Sequence, residues 1–372
     1  MNTYPTLLSP CNYGGLELKN HVIFAPTSMG LKKEEYFNKL EEIAKGGCAM
    51  IIIGDVPVMK SRFPLSLYTK QGFAYYQELV ARIHKHDCKV CAQLHQNDTK
   101  MKGMFKYLPQ LLTKKLSKDD IKALMNKETA NYISSIPTKK IKEITAAFGE
   151  SAKLAKACGF DMVQVHGDRM CGSFSSTIFN HRKDEYGNST LNRARFALES
   201  VQAIHQLVPD ISIDYKLCIR LEEPHYGNAG ITLADVKTFV PLLEKAGVTS
   251  FHVTLANHSR LEDPIPPYNH KDFHEEGCFL PLCDEVKKYT NVPVCAVGNL
   301  SHPAFMEEIM QANRCDCISM SRQLIADPNW VKKVKEHQED SIQWCHRCNK
   351  KCLNGMYEHK GVHCIYDKEN KL

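Results

Sequence analysis

No Gly-x-Gly-x-x-Gly occurs anywhere in the 372 residues, which removes the phosphate-binding fingerprint of a dinucleotide fold. No apolar run approaches the roughly 20 residues that a membrane span needs. The N-terminus, MNTYPTLLSPCNYGGLELKN, lacks a basic start followed by an apolar stretch, so no secretory leader is read and a cytoplasmic location is expected. Tryptophan is scarce, at two residues, and charge of one sign is not abundant: the formal balance is +6. Much of that surplus lies in the lysine-rich stretch from Lys100 to Lys142. Without interleaved stacking aromatics the stretch reads as a solvated surface with a weak preference for anions, and no nucleic-acid partner is expected.

Cysteine, by contrast, is plentiful. Four of the sixteen fall as Cys345-x2-Cys348-x3-Cys352-x11-Cys364 in WCHRCNKKCLNGMYEHKGVHCIYD. Three thiolates in one turn and a fourth after a short excursion can converge on one small centre. The spacing suits a cubane [4Fe–4S] cluster. Zinc is the next reading, although structural zinc sites more often use two separated pairs. A disulfide framework comes last. The other twelve cysteines are scattered, several inside apolar runs such as VPVCAV and CDCISM. They behave as small hydrophobes and point to a reducing compartment, as in an anaerobe.

Apolar residues make up 43% of the chain, enough for a full core. Short β-branched runs alternate with amphipathic segments throughout. Strands are expected at His21–Ala25, Met50–Ile53, Val90–Leu94, Met162–Val165, Tyr215–Ile219, Phe251–Val253, Val294–Val297 and Cys317–Met320. Helices are expected at Asn38–Lys45, Tyr75–His86, Thr138–Cys158, Asn192–Leu207, Leu233–Ala246, Leu280–Lys288, Pro303–Ala312 and Asn329–Glu336. Continuous apolar strands are those buried on both faces, as in a parallel sheet. Eight such units predict an α/β fold, a (β/α)8 TIM barrel with a small C-terminal iron–sulfur-binding appendage. A doubly wound sheet is the alternative. The expected domains are a barrel over residues 1–338, with an insertion at about 99–138 after the third strand, and a cluster-binding segment over 339–372.

The segments LKNHVIFAPTSMG, AQLHQ, KACGFDMVQVHG, FNHRKDEYGNSTLNRARFALESV, VPVCAVGNLSHP and SRQLIADP follow in this order. Together they resemble the old yellow enzyme family, in its iron–sulfur branch with the dienoyl-CoA and enoate reductases. The resemblance implies FMN at the C-terminal face of the barrel. It implies flavin contacts from Pro26, Thr27 and Ser28 after strand one, Gly54 after strand two and Gln93 at the end of strand three. Arg220, closing strand five, is implied beside flavin N1, with Gly298, Asn299, Ser321 and Arg322 at the phosphate. Cys345, Cys348, Cys352 and Cys364 are implied as ligands of a [4Fe–4S] cluster.

Two departures shape the expected function. Longer members of that branch continue into FAD- and NAD(P)H-binding domains, whereas this sequence stops at Leu372. The expected electron source is therefore a separate donor protein docking near the cluster, or NAD(P)H acting directly. Assembly with further copies of the chain is left open. After strand four the family pattern His-Gly-Ala-His/Asn-Gly-Tyr-Leu is replaced by His166-Gly167-Asp168-Arg169-Met170-Cys171-Gly172. A buried Cys171 is a poor substitute for a phenol as proton donor. Asp168 and Arg169 enter instead, read either as a local salt bridge or as a pair in which Arg169 receives an anionic or lactam-bearing substrate and Asp168 supplies or orients a proton. His166 is expected to face the flavin, and His258, in VTLANHSR, to be a second catalytic histidine or an ordinary surface one. HGDRMCGSFSS is similar to the short-form bilirubin reductase branch, which implies reduction of bilirubin's methine bridges to urobilinogen-type products. The alternatives are reduction of a 2-enoate or a steroid or bile-acid enone, an electron-transfer or flavin-reducing component, and a zinc-stabilised binding module.

Overall fold

The structure is a computed structural model and describes residues 3–61, 65–99 and 117–367. Eight parallel strands close into a barrel: β3 (Val22–Phe24), β4 (Met50–Pro57), β5 (Lys89–His95), β6 (Met162–His166), β7 (Ser212–Arg220), β9 (Ser250–Leu255), β10 (Val294–Ala296) and β11 (Cys317–Met320). Each pairs with its neighbour in this order, and β11 returns to β3 through Ile318–Val22 and Met320–Phe24. A two-residue strand, β8 (Ile231–Thr232), adds to the end of β7. The doubly wound alternative is excluded by this closure.

Helices α1 (Lys33–Lys45), α2 (Lys70–His84), α4 (Thr138–Cys158), α6 (Thr190–Leu207), α7 (Leu233–Ala246), α8 (Leu280–Lys287), α9 (Pro303–Gln311) and α11 (Trp330–Lys335) match the eight expected from the sequence. Three more lie in loops: α3 (Lys118–Ser135), α5 (Met170–Ser175) and α12 (Leu353–Tyr357). A short α10 (Arg322–Ala326) follows β11. Helix α3 occupies part of the insertion after β5, opened by a Ser117–Asp120 capping box; residues 100–116 of that insertion lie outside the described residues.

The HRKDEYG…NRARF block is scaffold. Arg182 Nη1 donates to the carbonyls of Ile133 and Ile136 at 3.1 and 2.7 Å, clamping the end of α3. Asn180 Nδ2 holds the Phe174 and Tyr186 carbonyls at 2.6 Å each. Arg193 pairs with Asp235 at 2.8 Å, both largely buried, tying α6 to α7. Such charges persist in a core only when paired and hydrogen-bonded.

An antiparallel hairpin, β1 (Cys11–Tyr13) and β2 (Leu16–Leu18), closes the N-terminal end of the barrel. Its turn, Gly14–Gly15, takes φ of +62° and +92°, the combination a two-residue hairpin turn needs. A Cβ on Gly14 would also meet Thr249 Oγ1 at 2.7 Å. The fully buried Tyr13 donates its hydroxyl to Asp214 Oδ1 at 2.9 Å. Asp214 accepts as well from Ser250 Oγ at 2.7 Å and from Gln164 Nε2, and Gln164 Oε1 accepts from Gln93 Nε2 at 2.6 Å. A column of paired polar side chains thus runs up the barrel axis. At its far end the pairing stops.

Candidate active site

Above Gln93, at the C-terminal ends of the strands, lies a cavity of about 290 Å³, close to the lower end of small-ligand pockets, roughly 300 Å³. Such barrels place their chemistry at this face. Of the residues singled out in the sequence, Pro26, Thr27, Ser28, Gln93, His166, Asp168, Arg169, Gly298, Asn299, Ser321 and Arg322 line it. Thr27 Oγ1 lies 2.8 Å from Ser321 Oγ, and Ser28 donates to Asp55 Oδ2. Gly54 lies just behind; a Cβ there would stand 3.4 Å from Ser28 Oγ.

Arg220, Cys171 and His258 lie outside the lining. Arg220 Nη2 donates to Thr177 Oγ1 at 2.7 Å and to Glu222 at 3.3 Å. The cation that β7 directs into the cavity is Lys216, followed two residues on by Cys218. Cys171 is 1% exposed among core side chains, and burial pushes its thiol far up. It has no proton to spare near neutral pH. His258 Nε2 sits 2.9 Å from Asp98 Oδ2, which also accepts from Ser173 Oγ at 2.6 Å. Burial would raise the Asp98 carboxyl, but His258, Arg169 and Ser173 outweigh it and hold the group far down. Asp98 is thus an anion behind Arg169.

Asp168 and Arg169 form no ion pair with each other among the described residues, so the local salt bridge is not what they build. Asp168 Oδ1 instead accepts from the Asn257 backbone N–H at 3.0 Å. Arg169 Nε is buried with no hydrogen-bond partner among the described residues. Burial alone would lower the Arg169 pKa, yet the fields of Asp168, Asp98 and Asp55 raise it. The guanidinium is held charged by its surroundings and left with donors to give. That is the signature of a binding group.

Sequence reasoning did not anticipate Asp55, His95, Lys216 or His252. Asp55 takes φ of +56° and brings a carboxylate oxygen 3.5 Å from His95 Nδ1 and 3.7 Å from His166 Nδ1. Burial, with Lys216, His95 and Arg169, drives the His166 pKa well down, so its ring is neutral. Burial and Lys216 bring His252 down to about 3. For Lys216 a signal was available: a charge between apolar neighbours in a strand, two residues after Asp214. Asp55 and His95 come from the neighbouring strands β4 and β5, and their meeting depends on the register and on the irregularity between Ile53 and Val56.

All four cysteines of the quartet line one small hollow that adjoins the cavity, and Cys345 and Cys352 line both. Each is a free thiol of intermediate exposure. The turn between them is shaped by Arg347 and Asn349 at φ of +50° and +54°. Arg322 spans the two spaces, donating to Asn299 Oδ1 at 2.8 Å on the cavity side and to Asn349 Oδ1 at 2.9 Å on the cysteine side. Trp344 stacks on His302 at 4.7 Å, and the fully buried Trp330 donates to the Ser301 carbonyl at 3.1 Å.

A closed parallel barrel with a polar, cation-rich mouth at its C-terminal face is the architecture of a flavin-dependent oxidoreductase. Residues 6–341 match the NADH:flavin oxidoreductase / NADH oxidase family, and the chain belongs to that family, the old yellow enzymes. It is 54% identical over 369 residues to the bilirubin reductase of Clostridium symbiosum, covering 99% of both chains. It is 32% identical to the bilirubin reductase of Mediterraneibacter gnavus, covering 98% of this chain but 57% of that longer protein. In architecture it is similar to a 2-naphthoyl-CoA reductase complex, with a TM-score of 0.78 at 20% identity, covering 97% of this chain and 57% of that one. No helix among the described residues is long and apolar enough to cross a membrane.

The residues present fit the FMN that the family implies. Gln93 Nε2 is committed to Gln164, which fixes the amide, and Oε1 accepts only a long 3.4 Å bond from the Asp55 N–H, so its second lone pair is left for a ring N–H. Gly298, at φ of +118°, lets the backbone after β10 pass where a Cβ would strike Phe279 at 2.7 Å. The donor set of the second hollow, four thiols and no disulfide, fits a thiolate-ligated metal centre.

Proposed function

We propose that this protein reduces the methine bridges of bilirubin to urobilinogen-type products, using FMN in the barrel mouth and a [4Fe–4S] cluster on Cys345, Cys348, Cys352 and Cys364. The observation that carries the reading is Arg169: buried, charged and short of a partner, beside an Asp168 that is already anchored. The full-length likeness to a bilirubin reductase supports it. Bound FMN would supply hydride chemistry, reduced either by hydride from NAD(P)H at the flavin or by single electrons that the cluster would admit from a donor protein.

The chain's own residues do the rest. Arg169 takes a propionate of the tetrapyrrole through charge-assisted hydrogen bonds, and Lys216 extends the positive field. Asp168, oriented by the Asn257 N–H, presents its second oxygen to a lactam N–H or to the proton destined for the bridge carbon. His166, kept neutral, offers a hydrogen bond without adding charge. Leu261, Pro264, Ile265 and Met356 form apolar parts of the wall; they hold the ring edges and keep water from the reacting carbon. In this scheme residues 1–338 form the catalytic barrel and 339–372 the cluster segment.

A second reading, reduction of a 2-enoate such as cinnamate, rests on the same Arg169, which would take the enoate carboxylate. Anaerobically reduced protein given bilirubin and cinnamate separately distinguishes the two. Bleaching of bilirubin without cinnamate turnover is the expected result; cinnamate turnover with bilirubin untouched overturns the proposal.

A further inference from the structure

At the opposite end of the barrel, Cys11 of the hairpin, His21 just before β3 and Cys317 of β11 bring one ligand atom each within 4.8 Å of the others. We propose that these three residues bind a zinc-class divalent ion that fastens the N-terminal hairpin to the barrel. The site belongs neither to the cavity nor to the cysteine quartet. Cys317 opens β11, whose other end reaches the mouth, and it packs with Tyr13, Met162 and Cys295 beneath the barrel floor.

The geometry suits a metal, although the same sulfurs also stand at S–H···S distance. Two sulfurs on one tetrahedral zinc, each about 2.3 Å from it, stand roughly 3.8 Å apart. Cys11 and Cys317 Sγ are 3.9 Å apart, almost twice a disulfide bond, which is about 2.05 Å. The histidine is prepared as ligands usually are. His21 Nδ1 lies 2.6 Å from the Asp316 carbonyl, so its N–H donates there and Nε2 keeps the lone pair, with Ser9 Oγ 3.5 Å away and donating to the Thr6 carbonyl at 2.9 Å. The residue that orients the ring is the one preceding Cys317, so ring and thiol are placed by the same short stretch. Backbone bonds lock the arrangement: His21 N–H donates to the Leu7 carbonyl at 3.1 Å, and the Ile318 N–H donates to the His21 carbonyl at 2.9 Å.

Two thiolates and a neutral imidazole balance a divalent charge and form the soft-to-borderline set that zinc prefers to magnesium or calcium. Cys11 and His21 are partly exposed, which gives the ion a path in and water a fourth position. Another cysteine pair shows what packing alone looks like. Cys48 and Cys88 also face each other, but both are buried and neither belongs to a cluster of three potential ligands among the described residues.

The test uses the holoprotein, purified anaerobically from cells supplied with zinc and desalted before elemental analysis. About one zinc per chain is expected beside the iron. X-ray absorption at the zinc edge should resolve two sulfurs near about 2.3 Å and nitrogen near about 2.0–2.1 Å. Cys11→Ser and His21→Ala, both at partly exposed positions, should each lower zinc to below roughly a tenth of an equivalent while iron and flavin stay at wild-type levels. Zinc that persists in both variants, a four-sulfur zinc spectrum, or wild-type protein that retains no zinc overturns the site. So does a Cys11–Cys317 disulfide found by mass spectrometry under the same anaerobic conditions. Because the spectrum is read on wild-type protein, failure of a variant to fold leaves the proposal open to refutation.

Discussion

The two ends of this barrel are built from the same strands and treat polar groups in opposite ways. At the hairpin end Tyr13, Ser250 and Gln164 all converge on Asp214, and Gln164 hands the pairing on to Gln93. At the mouth Arg169 and the His95 and His166 rings keep buried nitrogens without hydrogen-bond partners among the described residues. Folding alone favours the first pattern, since a buried donor left unmade costs about 1–3 kcal/mol. The second pattern is tolerated where something else is to be bound. The contrast locates the working end without reference to any relative.

The largest effect that can break this contrast comes from the quartet. Cys352→Ser should abolish multiple turnover and strip iron and acid-labile sulfide while the flavin is retained. Iron at wild-type level in that variant would disconnect the cysteines from any cluster. Next is Arg169→Ala. Truncating a buried charged partner costs about 2–5 kcal/mol, so kcat/KM for bilirubin should fall by roughly thirtyfold or more. Flavin content should stay unchanged. Unchanged flavin reduction and electron throughput in an Asp168→Ala/Arg169→Ala double variant, with no organic acceptor turned over by the wild type, would favour a component that only passes electrons on.

At the closed end the informative variable is pH. Burial, larger than the opposing hydrogen bonds from Gln164, Ser250 and Tyr13, pushes the Asp214 carboxyl up to about 6. A carboxyl with a raised folded-state pKa binds its proton more tightly in the native protein. Its stabilising contribution is therefore complete below about pH 4 and lost as pH rises through about 6. The loss is at most roughly 3 kcal/mol, from two pKa units at 1.36 kcal/mol each. Asp214→Asn carries no such titration. The difference in unfolding free energy between wild type and variant, followed from pH 4.5 to 7.5, should shift in the variant's favour as pH rises. A flat difference refutes the account.

The smallest effect sharpens the mouth itself. Lys216→Gln should weaken flavin retention by about tenfold, some 1.4 kcal/mol, and Arg220→Gln by less than about threefold, as measured by equilibrium dialysis. The reverse order would return the flavin contact to Arg220.

That pair also shows what a sequence can and cannot disclose. The strands were legible because runs such as MIII and VPVCAV are apolar on both faces, which only an enclosed parallel sheet demands. β7 was the weakest case. Its run starts at Ser212, not Tyr215, because Asp214 and Lys216 point into the barrel and interrupt the apolar pattern. Arg220 was placed by resemblance, yet whether a strand-end side chain reaches the cavity depends on twist and register that the string of letters does not carry. The hairpin was readable in principle, since Gly-Gly between CNY and LEL is a turn signal. The convergence of Asp55, His95 and His166 was not, because it depends on the register of β4, β5 and β6 and on the irregularity in β4 between Ile53 and Val56.

The segment that carries the cysteine quartet is also wall of the cavity. Leu353, Met356 and Val362 line the cavity, and the cysteines before and after them line the adjoining hollow. In the proposed scheme, air that oxidises those thiols deforms the chamber while it cuts the electron supply. Inactivation by oxygen should then register as weaker substrate affinity and slower turnover together, so that the catalyst fails as one piece.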